Sequence, residues 1–285
     1  VTCGGLCPGL NDVIRALVLE LVHHYGVNDI TGFRHGYAGL VPGRAPDPYR
    51  LTPEFVDTIT DRGGTILGTS RGPQDVPTMV DTLVHRGIDI LFVIGGDGSM
   101  RGVHELAEEV ELRGLEISIV GIPKTIDNDI PLIGTSFGFQ TAFARASEAI
   151  KQARVEAEST MGGVGIVKVM GRHAGFIACY SALANHDADF VLIPEVRFDL
   201  DGPDGLLARL RERVEDEGSA VIVLAEGAGQ EYLDEAKGAD ASGNKKLSDF
   251  SRVLRDRVTA DFAEHGQPLV IRYFDPGYQI RSGTA

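Results

Sequence analysis

The sequence predicts a doubly wound α/β protein, on two observations. Short apolar runs recur at residues 88–94, 117–122, 164–170, 190–193, 220–225 and 269–274, and they are continuous rather than alternating. Parallel strands covered on both faces by helices read this way. Segments of helical periodicity lie between them, so strand and helix alternate throughout.

The first helix follows a glycine-rich turn, Gly4-Gly5-Leu6-Cys7-Pro8-Gly9. Leu10, Val13, Ile14, Leu17, Val18, Leu21 and Val22 form an i, i+3, i+4 stripe that Gly26 ends. His23 and His24 fall on its polar side and carry no assigned role, nor does His173. Further helices are expected over residues 100–111, 139–158, 202–217 and 247–265. A domain break is expected within residues 131–138, and the polar, Gly/Ala-rich region 227–246 reads as an insertion near the site.

The 285 residues suffice for one large domain or two ordinary ones. A hydrophobic content of 43% with 24% charged residues is ordinary for a globular protein. No run of about 18 apolar residues occurs, so no membrane span is predicted. No leader is read at the start, which opens at Val1 inside a glycine loop, and residues before Val1 are expected. Three cysteines, Cys3, Cys7 and Cys179, argue for a reducing, cytoplasmic setting rather than a disulfide framework. Cys3 and Cys7 lack a second ligand pair for zinc. Cys7, near a helix start, is expected to have a lowered pKa and to be oxidation-sensitive. The net charge of −14 excludes nucleic acid as the main partner. An acidic protein that binds small anions must gather its cations in one pocket.

Four groups of residues point to chemistry. Pro123-Lys124-Thr125-Ile126-Asp127-Asn128-Asp129 follows the run 117–122, where a strand of an open α/β sheet ends and ligands bind. Uncompensated carboxylates there hold a metal or move a proton. Asp127 could take a proton from a substrate hydroxyl that Thr125 orients, and Asp129 is a candidate metal or water ligand. Asp-Asn-Asp also suits a plain turn. Gly95-Gly96-Asp97-Gly98-Ser99 ends the run 88–94, placing Asp97 to hold Mg²⁺ through oxygen and Ser99 to cap the next helix and touch a phosphate. The Gly4 to Gly9 turn lets backbone N–H groups approach an anion at a helix N-terminus, though a tight turn alone needs the same glycines. Lastly, Arg71, Lys124, Arg172, Arg272 and Arg281 stand at strand ends, and arginine pairs bidentately with phosphate.

Taken in order, Gly4-Gly5-x-x-Pro8-Gly9-x-Asn11, Gly63-Gly64-Thr65-x-Leu67-Gly68-x-x-Arg71, Gly95-Gly96-Asp97-Gly98-Ser99, Thr125-Ile126-Asp127-Asn128-Asp129 and Met170-Gly171-Arg172 resemble the phosphofructokinase family. The resemblance spans essentially the whole chain. It implies two Rossmann-like lobes, with mostly parallel sheets covered by helices and the active site in the cleft between them. Residues 1–135 would bind the donor and 136–285 the sugar phosphate.

The implied reaction is phosphoryl transfer from ATP to the 1-hydroxyl of fructose 6-phosphate, with Mg²⁺ and a cytoplasmic homo-oligomer, a tetramer by resemblance. Asp127 would be the base with Thr125 beside it, Arg172 would stabilise the transferred group, and Asp97 would bind the metal. Asp129 would support the metal side. Gly4, Gly5, Arg71, Gly72, Gly96, Gly98 and Ser99 would contact the donor. Met170 and Gly171 would line the sugar site, with Glu226 on the sugar hydroxyls. Arg272, Tyr278 and Arg281 would hold the 6-phosphate, Arg272 reaching from a neighbouring subunit.

The sequence departs from the family at three points. A second cross-subunit arginine of many bacterial relatives aligns with Gly163, Tyr278 replaces a histidine, and the chain ends at Ala285, where the family returns to the first lobe. The Asp275-Pro276-x-Tyr278-x-Ile280-Arg281 signature resembles the plant-like and trypanosome-like branch. The resemblance also bears on the donor. Pyrophosphate-using relatives carry Asp at position 98 and Lys at position 124, and short ATP enzymes carry Gly at both. Gly98 leaves room for the α-phosphate of ATP, and Lys124 tolerates either donor, so ATP is the expected donor and pyrophosphate the alternative. An NAD or lipid kinase would lack Met170-Gly171-Arg172 and the Tyr278/Arg281 pair, and a non-catalytic sensor would most simply have lost Asp127 or Arg172.

Overall fold

The computed structural model describes residues 1–233, 238 and 247–285. Most of region 234–246, in the expected insertion, therefore lies outside the described residues.

The strands are β1 (Thr31–Gly32), β2 (Tyr49–Arg50), β3 (Ile90–Gly95), β4 (Ser118–Pro123), β5 (Gly163–Val169), β6 (Phe190–Leu192), β7 (Ser219–Ala225) and β8 (Val270–Phe274). The helices are α1 (Leu10–His23), α2 (Pro53–Val56), α3 (Val76–His85), α4 (Asp97–Leu112), α5 (Phe139–Glu158), α6 (Phe176–Asn185), α7 (Leu206–Glu217), α8 (Phe250–Glu264) and α9 (Gly277–Arg281). No helix among the described residues is long and apolar enough to cross a membrane.

The two larger sheets are parallel. β3 pairs with β4, register Ile90↔Ser118 to Gly95↔Pro123. The opening residues run along the other edge of β3, where Thr2 bridges Ile94, Cys3 N–H donates to the Ile94 carbonyl at 2.8 Å, and the Val1 nitrogen donates to the Phe92 carbonyl at 2.8 Å. The second sheet has the order β6-β7-β5-β8, all parallel. A short antiparallel ladder joins β1 and β2.

The continuous apolar run of β7 has the reason expected of it, whereas β4 is only partly covered, with Val120 exposed. Every residue of β7 is buried. Its even members Ala220, Ile222 and Leu224 pack with Val164 and Ile166 of β5 against Leu207 and Leu210 of α7 and Phe250, Leu254 and Phe262 of α8. The odd members Val221, Val223 and Ala225 pack with Val167 and Val169 against α5 and α6. Two covered faces leave no polar side to alternate with. On α5 the facing stripe is Ala142, Ala146, Ala149, Ala153 and Ala157, all small, so the helix lies close to the sheet. Gly163 is a product of that approach, since a Cβ there would overlap the Ala157 carbonyl oxygen. In the first sheet Leu91 and Val93 meet α3 and α4, while Ile94 meets Leu10, Ile14 and Val18 of α1.

Three expected helix starts move, and the one expected at 247 lies at Phe250, because Asp249 takes the cap position and its side chain accepts from the Ser251 N–H. The second expected helix begins at Asp97 rather than at 100, because Gly96 takes the cap position directly after β3. Ser99 therefore lies inside the first turn and does not cap it. The helix expected from 202 begins at Leu206, after a turn in which Gly202 has φ 91°.

Candidate active site

In a parallel sheet every strand points its carboxyl end the same way, and loops there converge. The segment ending at Cys3 leads into the Gly4 turn, β3 into Gly96 to Ser99, and β4 into Lys124 to Asp129. From the second sheet, β5 leads into Met170 to Arg172 and β7 into Glu226. All five loops line one cleft of about 470 Å³.

Its glycine side is tied together by the backbone. Gly4 N–H donates to the Ser70 carbonyl at 3.1 Å, and the Thr69 hydroxyl donates to the Gly4 carbonyl. These bonds bring Arg71 to the turn: a Cβ on Gly5 would stand 3.3 Å from its guanidinium. Gly4 has φ +80°, and a Cβ there would stand 3.6 Å from the Lys124 ammonium. Only glycine gives both that conformation and an open surface for an anion. Gly9 takes the cap position of α1 at φ 90°.

Lys124 is 8% exposed, and its N–H donates to the Gly95 carbonyl at 2.8 Å, joining the tips of β3 and β4. Burial pulls its pKa down. Nearby Cys7, Asp127 and Cys3 act in the opposite direction, while Arg71 adds to the lowering. Asp127 is the mirror case. Burial raises its pKa to about 6, with further raising by Asp129 and Glu226, against lowering by the Arg172 backbone N–H and Lys124. Its Oδ2 accepts from the Arg172 N–H at 3.3 Å, whereas its Oδ1 is buried with no partner among the described residues. A buried carboxylate oxygen without a partner, lining a cleft, is ready to accept a proton from a bound molecule. The Thr125 hydroxyl donates to Asp129 Oδ1 at 2.6 Å and accepts from the Asp127 N–H at 3.2 Å.

Cys7 overturns the expectation of a lowered pKa. Burial pushes the thiol up to about 12, and its Sγ donates to the Phe137 carbonyl at 3.3 Å. Desolvation outweighs proximity to the helix start. Among the described residues no group of three or more His, Cys, Asp or Glu side chains could hold a metal ion by itself.

The profile of the family described as Phosphofructokinase matches residues 1–285. The chain belongs to the phosphofructokinase family. An ATP-dependent 6-phosphofructokinase of Amycolatopsis methanolica is 54% identical, covering 99% of this chain and 63% of that protein. One of Trypanosoma cruzi is 46% identical, covering 99% and 58%. The solved phosphofructokinase of Saccharomyces cerevisiae superimposes with a TM-score of 0.77 at 28% identity, covering 100% of this chain and 38% of that one. The chain thus spans less than two thirds of the length of these relatives.

The family motifs account for most of the cleft. Gly4, Gly5, Arg71, Gly72, Gly96, Asp97, Gly98, Ser99, Lys124, Thr125, Asp127, Met170, Arg172, Glu226 and Arg281 line it. Four residues from the same phosphofructokinase pattern do not. Asp129 faces solvent and is held by Thr125. Gly171 has φ +128°, and a Cβ there would crowd the Ala174 carbonyl, so the turn requires glycine at this position. Arg272 pairs with Glu156 at 3.4 Å on the outer side of α5. Tyr278 is 75% exposed, with its ring centroid 4.2 Å from the Arg281 guanidinium. The cleft also takes in Tyr37, Gln74, Arg101 and Glu105, which the sequence did not single out. Arg101 and Glu105 are one turn apart on α4, a spacing that signals a shared face. Tyr37 had no such signal; its hydroxyl donates to the Ser99 carbonyl at 2.6 Å.

Proposed function

We propose that this chain carries the catalytic cleft of an ATP-dependent 6-phosphofructokinase, moving the γ-phosphoryl group of ATP to the 1-hydroxyl of fructose 6-phosphate. The buried Oδ1 of Asp127, without a partner among the described residues, carries the reading. The similarity to ATP-dependent 6-phosphofructokinases supports ATP as donor.

In this reading the bond between the γ-phosphorus and its bridging oxygen breaks, ADP leaves, and a new bond forms to O1 of the sugar. The proton of that hydroxyl passes to Asp127 Oδ1. A carboxylate with pKa about 6 is suited to this at neutral pH, being ionised yet more basic than an ordinary aspartate. Thr125 spends its proton on Asp129, so toward a substrate it offers lone pairs and helps orient a hydroxyl. Arg172, Lys124 and Arg71 face the transferred group and the polyphosphate, and neutralising that charge is most of what such a reaction needs. The backbone N–H groups at Gly4, Gly5, Gly96, Gly98 and Ser99 would meet donor phosphates. Residues 1–135 would bind the donor and residues 136–285 the sugar phosphate, through Met170, Gly171, Glu226, Tyr278 and Arg281. Arg272 would serve a neighbouring subunit's site in a cytoplasmic homo-oligomer, a tetramer in this reading.

Mg²⁺ fits the residues present. It is usually held by one or two carboxylates plus substrate phosphates, and Asp97 supplies an oxygen at the cleft beside the phosphate loops. Bound there it would neutralise charge on the donor. Lys124, a buried cation at the glycine turn, equally favours pyrophosphate and keeps that donor as the second reading.

A paired assay with ATP or pyrophosphate, each with fructose 6-phosphate and Mg²⁺, tests the donor: turnover with ATP is expected to exceed that with pyrophosphate. Asp127→Asn is expected to cut kcat by on the order of 10²–10⁴-fold while fructose 6-phosphate binding changes little. Near-normal turnover in that variant would remove Asp127 as the base.

A further inference from the structure

What holds Asp127 in place is not its own side chain. Its Oδ1 has no partner among the described residues, and its Oδ2 has one long bond from the Arg172 N–H. The position of the carboxylate is therefore set by the turn that carries it. Apolar burial does not anchor the far side of that turn: Leu132 is fully exposed and Ile133 is exposed at the loop tip.

Polar contacts do anchor it. Ser136 is buried, and its hydroxyl donates to the Thr125 carbonyl at 2.6 Å. Its N–H donates to Asn128 Oδ1 at 2.7 Å, and Asn128 Nδ2 donates to the Gly134 carbonyl at 3.4 Å. Asn128 has φ 57°, a left-handed conformation that Asn tolerates better than most residues. The loop leaves at Thr125, reverses at Asn128, and is pinned back to both points by one serine. Asp127 lies between the two pinned positions.

We propose that Ser136, with Asn128, is a positioning residue that clamps the 125–136 loop and so fixes the Asp127 carboxylate in the cleft. The role of Asp127 rests on the functional reading above; the clamp itself does not. Ser136 does not itself line the cleft and acts through the Thr125 carbonyl and the Asn128 amide. Removing its hydroxyl leaves that carbonyl without its donor and frees one side of the loop. Threonine keeps the donor.

Two measurements on the full chain test the clamp. Hydrogen exchange of the segment 124–137 is expected to accelerate roughly tenfold or more in Ser136→Ala, with exchange elsewhere unchanged. Turnover with ATP and fructose 6-phosphate is expected to fall on the order of 10–100-fold with both KM values within about threefold, as for a misplaced group rather than a lost binding contact. Ser136→Thr is expected to restore both. Asn128→Gly, which keeps the left-handed backbone and removes the side chain, is expected to loosen the same segment and decides the matter if Ser136→Ala does not fold. Wild-type exchange in Ser136→Ala overturns the clamp, and so does acceleration spread over the whole chain. Faster local exchange with unchanged kcat overturns the positioning role. If the wild type does not turn over ATP and fructose 6-phosphate, the functional reading fails, while the exchange measurement still decides the clamp.

Discussion

Asp127 is held in an environment that disfavours its charge, and two consequences separate cleanly by pH. As the base it must be ionised, so kcat/KM is expected to fall as pH drops through about 6, the value to which burial raises its pKa. A pH profile flat from 5 to 8 would contradict this. Stability moves the other way. A carboxyl whose folded pKa lies above its unfolded value binds more protons when folded, so its ionisation destabilises the fold as pH rises from about 4 through 6. Asp127→Asn is therefore expected to be more stable than the wild type at pH 7, by on the order of 1–3 kcal/mol, with the gap closing below about pH 4. Thermal melts at several pH values measure it. At this scale the sequence was legible where chemistry is local. Carboxylate, hydroxyl and lysine crowded after a strand single out a loop whose Lys124, Thr125 and Asp127 line the cleft. It was illegible where the answer is burial: Cys7 has a helix start beside it in sequence and a desolvated environment in space, and the second wins.

Elements were legible where two faces are covered and illegible where they are short. α5 was read with its observed bounds, because twenty residues of periodic pattern give the stripe room to repeat. α3 and α6 were not singled out, and each has ten residues. On α6, apolar Phe176, Tyr180 and Leu183 stand on the exposed side, which blurs the amphipathic pattern. β5 and α5 approach closely at Gly163, where a Cβ would overlap the Ala157 carbonyl oxygen. Gly163→Ala is expected to destabilise by about 1–3 kcal/mol, since the new methyl confronts the Ala157 backbone and neither segment can rotate away. The shift in urea midpoint reads this directly, and an unchanged midpoint would mean that the helix slides freely. The resemblance presented this glycine as a missing arginine; the structure gives it a packing reason within the chain.

The whole molecule carries a net charge of −14 yet gathers Arg71, Lys124, Arg172 and Arg281 into one cleft. The acidic remainder repels phosphorylated ligands at long range and the cleft attracts them at short range. Added salt screens both, but affects the exposed, distant charges most. KM for ATP is accordingly expected to rise by less than about tenfold between about 0.05 and 0.5 M salt, in contrast to the steep losses of proteins that rely on surface cations. A steeper dependence would point to cations outside the cleft. The break expected in residues 131–138 falls between β4 and α5, and so between the strands of the two larger sheets, whereas the return of the chain end has no local signal. After α9 the chain turns back so that Ser282 lies against Gly63, and Arg145 donates to the Thr284 carbonyl at 3.3 Å. Such contacts join residues more than a hundred positions apart and leave no local pattern.

The bond from the Arg172 amide to Asp127 spans from the tip of β5 to the tip of β4, and so from one sheet to the other. It opposes the rise that burial imposes on the aspartate. One backbone amide of the second sheet thus tunes the proton affinity of a carboxylate carried by the first, so the basicity of Asp127 belongs to neither sheet alone.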